Sequence, residues 1–360
     1  MRVLITAALA ALALAACGGG SDDESKGTPM PAAAQQADLG AIKTYLLEHT
    51  ERLKQSTAQL QTDAEAYYAL AESAGFDYAK LLETKRPEVA AAVKKIQEDH
   101  INANPDYEEM EGVVAGVPEL ADFDVILDAG GDKSDPENAV PFSLETPAGK
   151  KYEQPGNFFA LIETSAFGTE PKFTAEGVKP DLDGDGKVTF PEALPDADFI
   201  VTAARDFAKN ANDLDAAARE WEPNLQDAFT AVVVMTPTMS EYFGAWKNSR
   251  FISGDKAEEK GFVAVSRLSD IRDILGGIVL IYDNIEPSIS KVDGAQAQQT
   301  EKSLKDLHAF AERLLSEEQG GKQFTAADAD TLGSEAQRNA EAIAGQVSQA
   351  AGQLGITLED

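Results

Sequence analysis

The sequence predicts an all-α fold, built as two helical bundles in tandem with a loop-rich insertion in the first bundle. Apolar residues recur at three- and four-residue steps in long stretches at both ends of the chain. The stretch from about 112 to 195 lacks this period and is rich in Gly, Pro and Asp. A chain of 360 residues exceeds the usual size of a single core, which favours two bundles.

The first bundle is expected over 39–216. Its apolar stripe consists of Ile42, Leu46, His49, Leu53, Leu60, Ala64, Tyr67 and Ala71. This spacing places the stripe on one face of a long helix. Further helices are expected near 88–102 and 196–216.

The second bundle is expected over 217–360, with helices near 223–246 and 299–318. One stripe consists of Leu268, Ile271, Leu275, Ile278 and Tyr282, and another of Leu332, Ala336, Ala340, Ile343, Val347, Ala350 and Leu354. The small residues of the last stripe allow close helix packing. Thr325 and Asp328 have the spacing of a capping box that would begin the final helix.

The insertion, 112–195, is expected to be mostly loops and short turns, but it contains one specific motif at 181–192. Its acidic residues have the spacing of an EF-hand calcium loop. The oxygen donors would be Asp181, Asp183, Asp185, the carbonyl of Lys187, Thr189 and Glu192. Bound Ca²⁺ would staple a segment that apolar burial cannot hold.

The residues around this loop indicate a structural calcium site instead of a sensor. Gly186 stands where the loop needs a positive φ, and Val188 is at the position that tethers such loops to the core. Pro180 directly precedes the loop in place of an entering helix, and the sequence has no second copy. The alternative is a solvated acidic turn without an ion.

The N-terminus predicts export and a lipid anchor. Residues 1–16 have the short positive and apolar regions of a signal peptide, and Leu14-Ala-Ala-Cys17 is similar to a lipoprotein cleavage site. Cys17 would carry the lipid, and 17–38 would be a flexible tether. The protein would then lie in the bacterial cell envelope, anchored to a membrane. The alternative is an ordinary secretory signal.

The charge balance excludes nucleic acid as a partner. The chain has 62 acidic against 31 basic residues and a net charge of −31. A field of this sign repels phosphate and attracts cations. The single cysteine also rules out a disulfide within the chain and a thiolate metal site.

Several short segments resemble the imelysin-like lipoproteins, which include EfeO-type components of bacterial iron uptake. They are Tyr107-Glu-Glu-Met-Glu111, Phe158-Phe-Ala-Leu-Ile-Glu163, Tyr242-Phe-Gly-Ala-Trp246 and Ser266-Arg-Leu-Ser-Asp270. The resemblance covers about 39–357. It implies an all-helical pair of bundles with a metal site between helices.

The resemblance implies Glu108, Glu111 and Glu163 as ligands of a second metal site. The family's Gly-x-His-x-x-Glu motif is degenerate here, because Phe158 and Ala160 replace its glycine and histidine. Carboxylates alone favour hard cations such as Ca²⁺, Mg²⁺, Mn²⁺ or Fe³⁺. His100 is a reserve ligand. The alternative is that these glutamates face solvent or pair with arginine, for which Arg250 and Arg267 are candidates.

Two functions follow as hypotheses. The first is a cation-binding lipoprotein accessory to metal uptake, with iron or another hard cation as cargo, structural Ca²⁺, and a metal permease or other envelope protein as partner. The second is a calcium-stabilised envelope scaffold that binds polysaccharide or protein and transports no metal. Aromatic residues such as Trp221, Trp246, Tyr242 and Phe243 would line its groove. An enzyme is not expected, because the sequence has no His-Glu-x-x-His pair and no Gly-x-Ser-x-Gly turn.

Overall fold

The computed structural model describes residues 37–358, and helices dominate it. The α-helices are α1 Leu39–Ser73, α2 Tyr78–Val114, α3 Ala121–Asp124, α4 Phe158–Ala166, α5 Ala197–Glu220, α6 Leu225–Met235, α7 Met239–Asn248, α8 Arg250–Ser253, α9 Arg267–Gln319 and α10 Ala326–Leu354. The strands are β1 Ser143–Glu145 and β2 Lys151–Glu153, which pair antiparallel. The predicted all-α class is confirmed.

The apolar stripes explain how the long helices pack. α1 lies against α2 and α5, and α2 also lies against α9. α10 contacts α6, α7 and α9. The residues of the predicted first stripe are all buried, from Ile42 to Ala71. α2 therefore packs between α1 and the long helix α9, and the side chains of α2 that face these helices are buried.

Side chains that satisfy free backbone N–H groups mark the helix beginnings. The carboxylates of Asp38, Asp77 and Asp196 cap α1, α2 and α5. At α10 the predicted capping box is confirmed: Asp328 N–H donates to the Thr325 hydroxyl, and Thr325 N–H donates to the Asp328 carboxylate.

Three helix boundaries differ from the predictions. The helix expected at 88–102 is the centre of α2, which begins ten residues earlier and includes two prolines. The stripe from Leu268 and the helix expected at 299–318 belong to one helix, α9, interrupted by non-helical backbone at Asp293. The helix expected at 223–246 is divided into α6 and α7 by a 3₁₀ turn at Thr236–Thr238, which contains Pro237.

The insertion has more regular structure than predicted. Besides the β-hairpin, it contains a π-helical turn at Val125–Ala129 and the helix α4. Nearly every residue of α4 is buried, including the polar Glu163, Thr164 and Ser165, so the sequence has no exposed polar face that would mark an amphipathic helix.

The described residues form one compact unit. The predicted division at 216/217 falls inside α5, and the two-bundle organisation stays a prediction. The predicted signal peptide, Cys17 and nearly all of the tether at 17–38 lie outside the described residues. No helix among residues 37–358 is long and apolar enough to span a bilayer.

Two adjacent glycines of α9 provide a test of the α2–α9 packing. A Cβ added to Gly277 would overlap the backbone carbonyl oxygen of Glu109 on α2, so Gly277→Ala should destabilise the fold by about 1–3 kcal/mol. At Gly276 the nearest atom to an added Cβ is His308 Nε2, 3.6 Å away. Gly276→Ala should therefore stabilise by up to about 1 kcal/mol through helix propensity alone. Urea denaturation measures both, and equal effects would contradict this packing.

Candidate metal centre

A group of buried carboxylates lies where α2, the turn at 121–129 and the start of α9 meet. We call this group the acidic cluster. Its members are Glu108, Glu111, Asp124, Asp128 and Asp270. Glu108 and Asp270 are 0 % exposed, and the side chain of Asp128 is 8 % exposed. Such burial of several like charges is costly unless protons or cations neutralise them.

Three members could hold one metal ion. One carboxylate oxygen from each of Glu108, Glu111 and Asp128 lies within 4.8 Å of the others. Glu108 and Glu111 share a face of α2 because they are three residues apart. Asp128 comes from the π-helical turn, a conformation that often occurs at functional sites.

Neutral hydrogen-bond donors orient the two glutamates but leave one oxygen of each carboxylate without a partner. The Tyr242 hydroxyl donates to Glu111 at 2.7 Å, and the Asn104 amide donates to Glu108 at 3.0 Å. The second oxygen of each glutamate and the Asn104 carbonyl oxygen are buried without a hydrogen-bond partner. Free buried acceptors are rare in proteins, and a cation held by Glu108 and Glu111 would supply a partner for the carboxylates.

One buried guanidinium faces the acidic cluster. Arg267 at the start of α9 donates to Asp270 at 2.8 Å and lies 3.6 Å from Glu108 and 4.0 Å from Asp128. Its planar group packs against the rings of Tyr242 and Phe262, at 4.4 Å and 4.3 Å from their centroids. A single positive charge cannot balance five ionised carboxylates, so the cluster has more carboxyl groups than Arg267 can neutralise.

Burial therefore raises the pKa of each member. It raises the pKa of Glu111 to about 7 and that of Asp270 to about 6, and the neighbouring carboxylate Asp128 adds to both shifts. The pKa values of Glu108 and Asp124 lie well above the ordinary range for the same reasons. Near neutral pH the cluster can thus exchange protons for a cation.

The structure places Glu163 outside this three-carboxylate group, and Asp128 takes the position predicted for it. One Glu163 oxygen accepts the N–H groups of Val263 and Ala264, and the other accepts that of Phe262. His100 Nε2 lies 3.8 Å away. Burial raises the pKa of Glu163. The nearby His100 and these N–H groups have the larger effect in the opposite direction, and they hold the pKa of Glu163 below its ordinary value. Three backbone donors thus occupy most of the acceptor positions of this carboxylate.

Asp124, Asp128 and Asp270 are members of the acidic cluster that were not predicted from the sequence. Asp124 and Asp128 are four residues apart around an apolar Val-Ile-Leu run, inside the insertion that the sequence predicts to be mostly loops and short turns. Acids at that spacing among apolar residues are a signal for buried carboxylates on one helical face. Of the two arginine candidates, Arg267 contacts Glu108, whereas Arg250 pairs with Asp255.

The acidic loop 181–192 gathers its first three aspartates. One oxygen each from Asp181, Asp183 and Asp185 lies within 4.8 Å of the others. Backbone N–H groups of the loop donate to all three side chains. Gly186 has the expected positive φ, 85°.

The remaining loop residues differ in part from the expected roles. Both oxygens of Glu192 turn into the loop and accept N–H groups of Leu182, Asp183 and Thr189, and these bonds lower its pKa. Val188, predicted to tether the loop, is 46 % exposed, and the partly buried Leu182 packs against the core instead.

The aromatic groove of the alternative hypothesis does not appear at the residues named for it. Trp246 is fully buried, and Trp221, Tyr242 and Phe243 are at most 7 % exposed. The indole N–H of Trp246 donates to Glu318 at 2.7 Å, and that of Trp221 donates to Asp227 at 2.8 Å. These side chains form the core, so they offer no stacking surface to a sugar.

A comparison with protein-family models shows the family to which the chain belongs. A family model described as imelysin, which carries a peptidase label, matches residues 41–350. The chain belongs to the imelysin family. Membership suggests an association with iron uptake. No curated protein matches the chain at a significant level.

The raised pKa values predict an unusual pH dependence for the metal-free protein. A folded-state pKa above the unfolded value stabilises the fold below the unfolded pKa, and this contribution is lost as the pH rises through the folded pKa. For Glu111 and Asp270 the loss extends to about pH 7 and pH 6. Stability in a chelator should therefore fall by roughly 2–4 kcal/mol between pH 5 and 8.

Denaturant titrations between pH 5 and 8 measure this loss of stability. Glu111→Gln should make the free energy of unfolding fall less steeply with pH than it does in the wild type. Asp213→Asn is the control, because Asp213 is an exposed aspartate of α5 that pairs with Lys209 outside the acidic cluster. Equal slopes for wild type and Glu111→Gln would contradict a protonated cluster.

Proposed function

We propose that the protein is an exported, lipid-anchored cation-binding member of the imelysin family, accessory to iron uptake, with a structural calcium site in the loop 181–192. The observation that supports it most is the acidic cluster: three convergent carboxylates, two of them with a free buried oxygen, and a single neighbouring guanidinium among residues 37–358. Family membership supports the same function.

The donor set indicates the class of cargo. Glu108, Glu111 and Asp128 offer carboxylate oxygens, and Asn104 adds an unpaired amide oxygen. Oxygen-only sites favour hard ions such as Fe³⁺, Mn²⁺, Mg²⁺ and Ca²⁺, and they discriminate against ions that prefer sulfur or imidazole. The role needs binding and release, and no catalytic step is proposed.

Metal titration tests the cluster. With Ca²⁺ saturating the loop, wild-type protein should bind one Mn²⁺, or one ferric ion supplied as its citrate chelate. Glu111→Gln and Asp128→Asn should each weaken this binding about 100-fold, because each replaces a charged carboxylate ligand with a neutral amide. Glu109→Gln should bind as wild type does. Isothermal titration calorimetry measures all four proteins. A wild type that binds nothing beyond the loop calcium would contradict metal transport and favour the scaffold function.

Calcium should act on stability. The carboxylates of Asp181, Asp183 and Asp185 repel one another, and a bound ion removes that repulsion. Millimolar Ca²⁺ should raise the thermal midpoint, and the double variant Asp181→Ala, Glu192→Ala should abolish the rise. Asp213→Ala, which removes an exposed aspartate of α5, is a control. The same Ca²⁺ response in the double variant would contradict the loop assignment.

Lipid anchoring rests on the sequence around Cys17. Metabolic labelling with a fatty acid should mark the wild type, and Cys17→Ser should remain unlabelled and leave the membrane fraction. Equal labelling of both proteins would rule out lipidation at this position.

A further inference from the structure

The acidic cluster exposes little carboxylate surface to solvent, because Glu108 and Asp270 are fully buried and the Asp128 side chain is 8 % exposed. Movement of a neighbouring segment would widen the access of an ion to these carboxylates. The segment 257–266 leads into α9 and contacts Arg267, the guanidinium that faces the cluster. We call it the cover segment. Its Phe262 ring packs on the Arg267 guanidinium at 4.3 Å, and it ends at Ser266, the residue that caps α9.

The cover segment contains no regular secondary structure after the 3₁₀ turn Gly254–Lys256. Glu258, Glu259 and Lys260 are exposed, whereas Val263 and Ser266 are buried. Phe262 has a φ of 52°, which is uncommon for a residue with a bulky side chain. Such backbone persists only where the surroundings hold it in place.

The Glu163 side chain holds the cover segment in place. Its carboxylate accepts three consecutive backbone N–H groups, from Phe262 at 2.6 Å, Val263 at 2.9 Å and Ala264 at 3.0 Å. Charge-assisted bonds of this kind are about twice as strong as neutral ones. Gly261 allows the close approach, because a Cβ there would lie 3.3 Å from the Glu163 carboxylate.

A second, exposed attachment lies at the other end of the cover segment. The Thr169 hydroxyl donates to the Lys260 carbonyl oxygen at 2.5 Å, and the Lys260 ammonium pairs with Glu170 at 2.5 Å. Both attachments come from α4 and the residues just after it. The N–H groups of Glu258 and Glu259 also donate to the Asn248 carbonyl oxygen at the end of α7, so the part that the two α4 attachments hold is 260–264.

We propose that Glu163 is a positioning residue instead of a metal ligand: it latches the cover segment over the acidic cluster, and opening of this latch admits and releases the cation. The identity of the cargo rests on the proposed function, but the latch itself does not. Glu163→Gln keeps the side-chain shape and removes the charge and one acceptor oxygen.

Hydrogen exchange of the full chain without metal tests the latch directly. Glu163→Gln should raise amide exchange in residues 257–266 about tenfold or more, with the rest of the bundle unchanged, since one charge-assisted bond is worth about a factor of ten. With Mn²⁺ as the probe, stopped-flow rates of association and dissociation should both increase, while Kd and stoichiometry change little.

Three outcomes would overturn the proposal: unchanged exchange in 257–266, faster exchange throughout the bundle, or loss of the Mn²⁺ site itself in Glu163→Gln. If Glu163→Gln does not fold, Glu163→Asp carries the test, because it keeps the charge but shortens the reach to the N–H groups of 262–264 by one methylene; faster exchange in 257–266 supports the latch and no change refutes it. If wild type binds no Mn²⁺, the proposed function fails, and the exchange comparison still decides the latch.

Discussion

The burial of five carboxylates around one guanidinium is the constraint on which this structure depends. Removing ions from water costs several kcal/mol each unless they are paired. Arg267 neutralises at most one charge, so the others must hold protons or a cation. The helices that supply the group, α2 and α9, are therefore more than a scaffold: they hold the carboxylates close despite mutual repulsion. A site built in this way is primed to exchange protons for a hard metal ion.

The acidic loop and the acidic cluster share the same supports. The Gln97 amide of α2 donates to the carbonyl oxygens of Ala166 and Pro191, and so connects α2 to the end of α4 and to the loop. Phe190 stacks on Phe167 at 6.0 Å between ring centroids. Ordering of the loop by calcium would thus steady α4, which carries Glu163 and with it the cover segment. Stability and access to the cluster are linked through one short helix.

Much of the fold could be predicted from sequence, because the long helices bury one face each. The stripe from Ile42 to Ala71 and the capping box at Thr325 follow from local spacing. α4 could not be predicted, because a helix buried on all sides has no amphipathic period. The merging of two predicted helices into α9 depends on tertiary packing that local pattern does not record.

Only the part of the acidic cluster that depends on local helix geometry could be predicted from the sequence. Glu108 and Glu111 are close in sequence, so helix geometry alone brings them together. Asp128 and Asp270 reach them from a π-helical turn and from the start of another helix, and only the fold sets these distances. Glu163 was expected as a ligand from the family motif. Its position against three backbone N–H groups depends on the path of the cover segment, which the motif does not encode.

Anomalous diffraction from crystals grown with Mn²⁺ and Ca²⁺ tests the central claim most directly, because manganese and calcium can be distinguished at the manganese absorption edge. The account predicts a manganese peak within bonding distance, about 2.0–2.6 Å, of carboxylate oxygens of Glu108, Glu111 and Asp128, with Glu163 still bound to the backbone of 262–264. Manganese density only in the loop 181–192, or an acidic cluster that remains closed around Arg267 without metal, would contradict it.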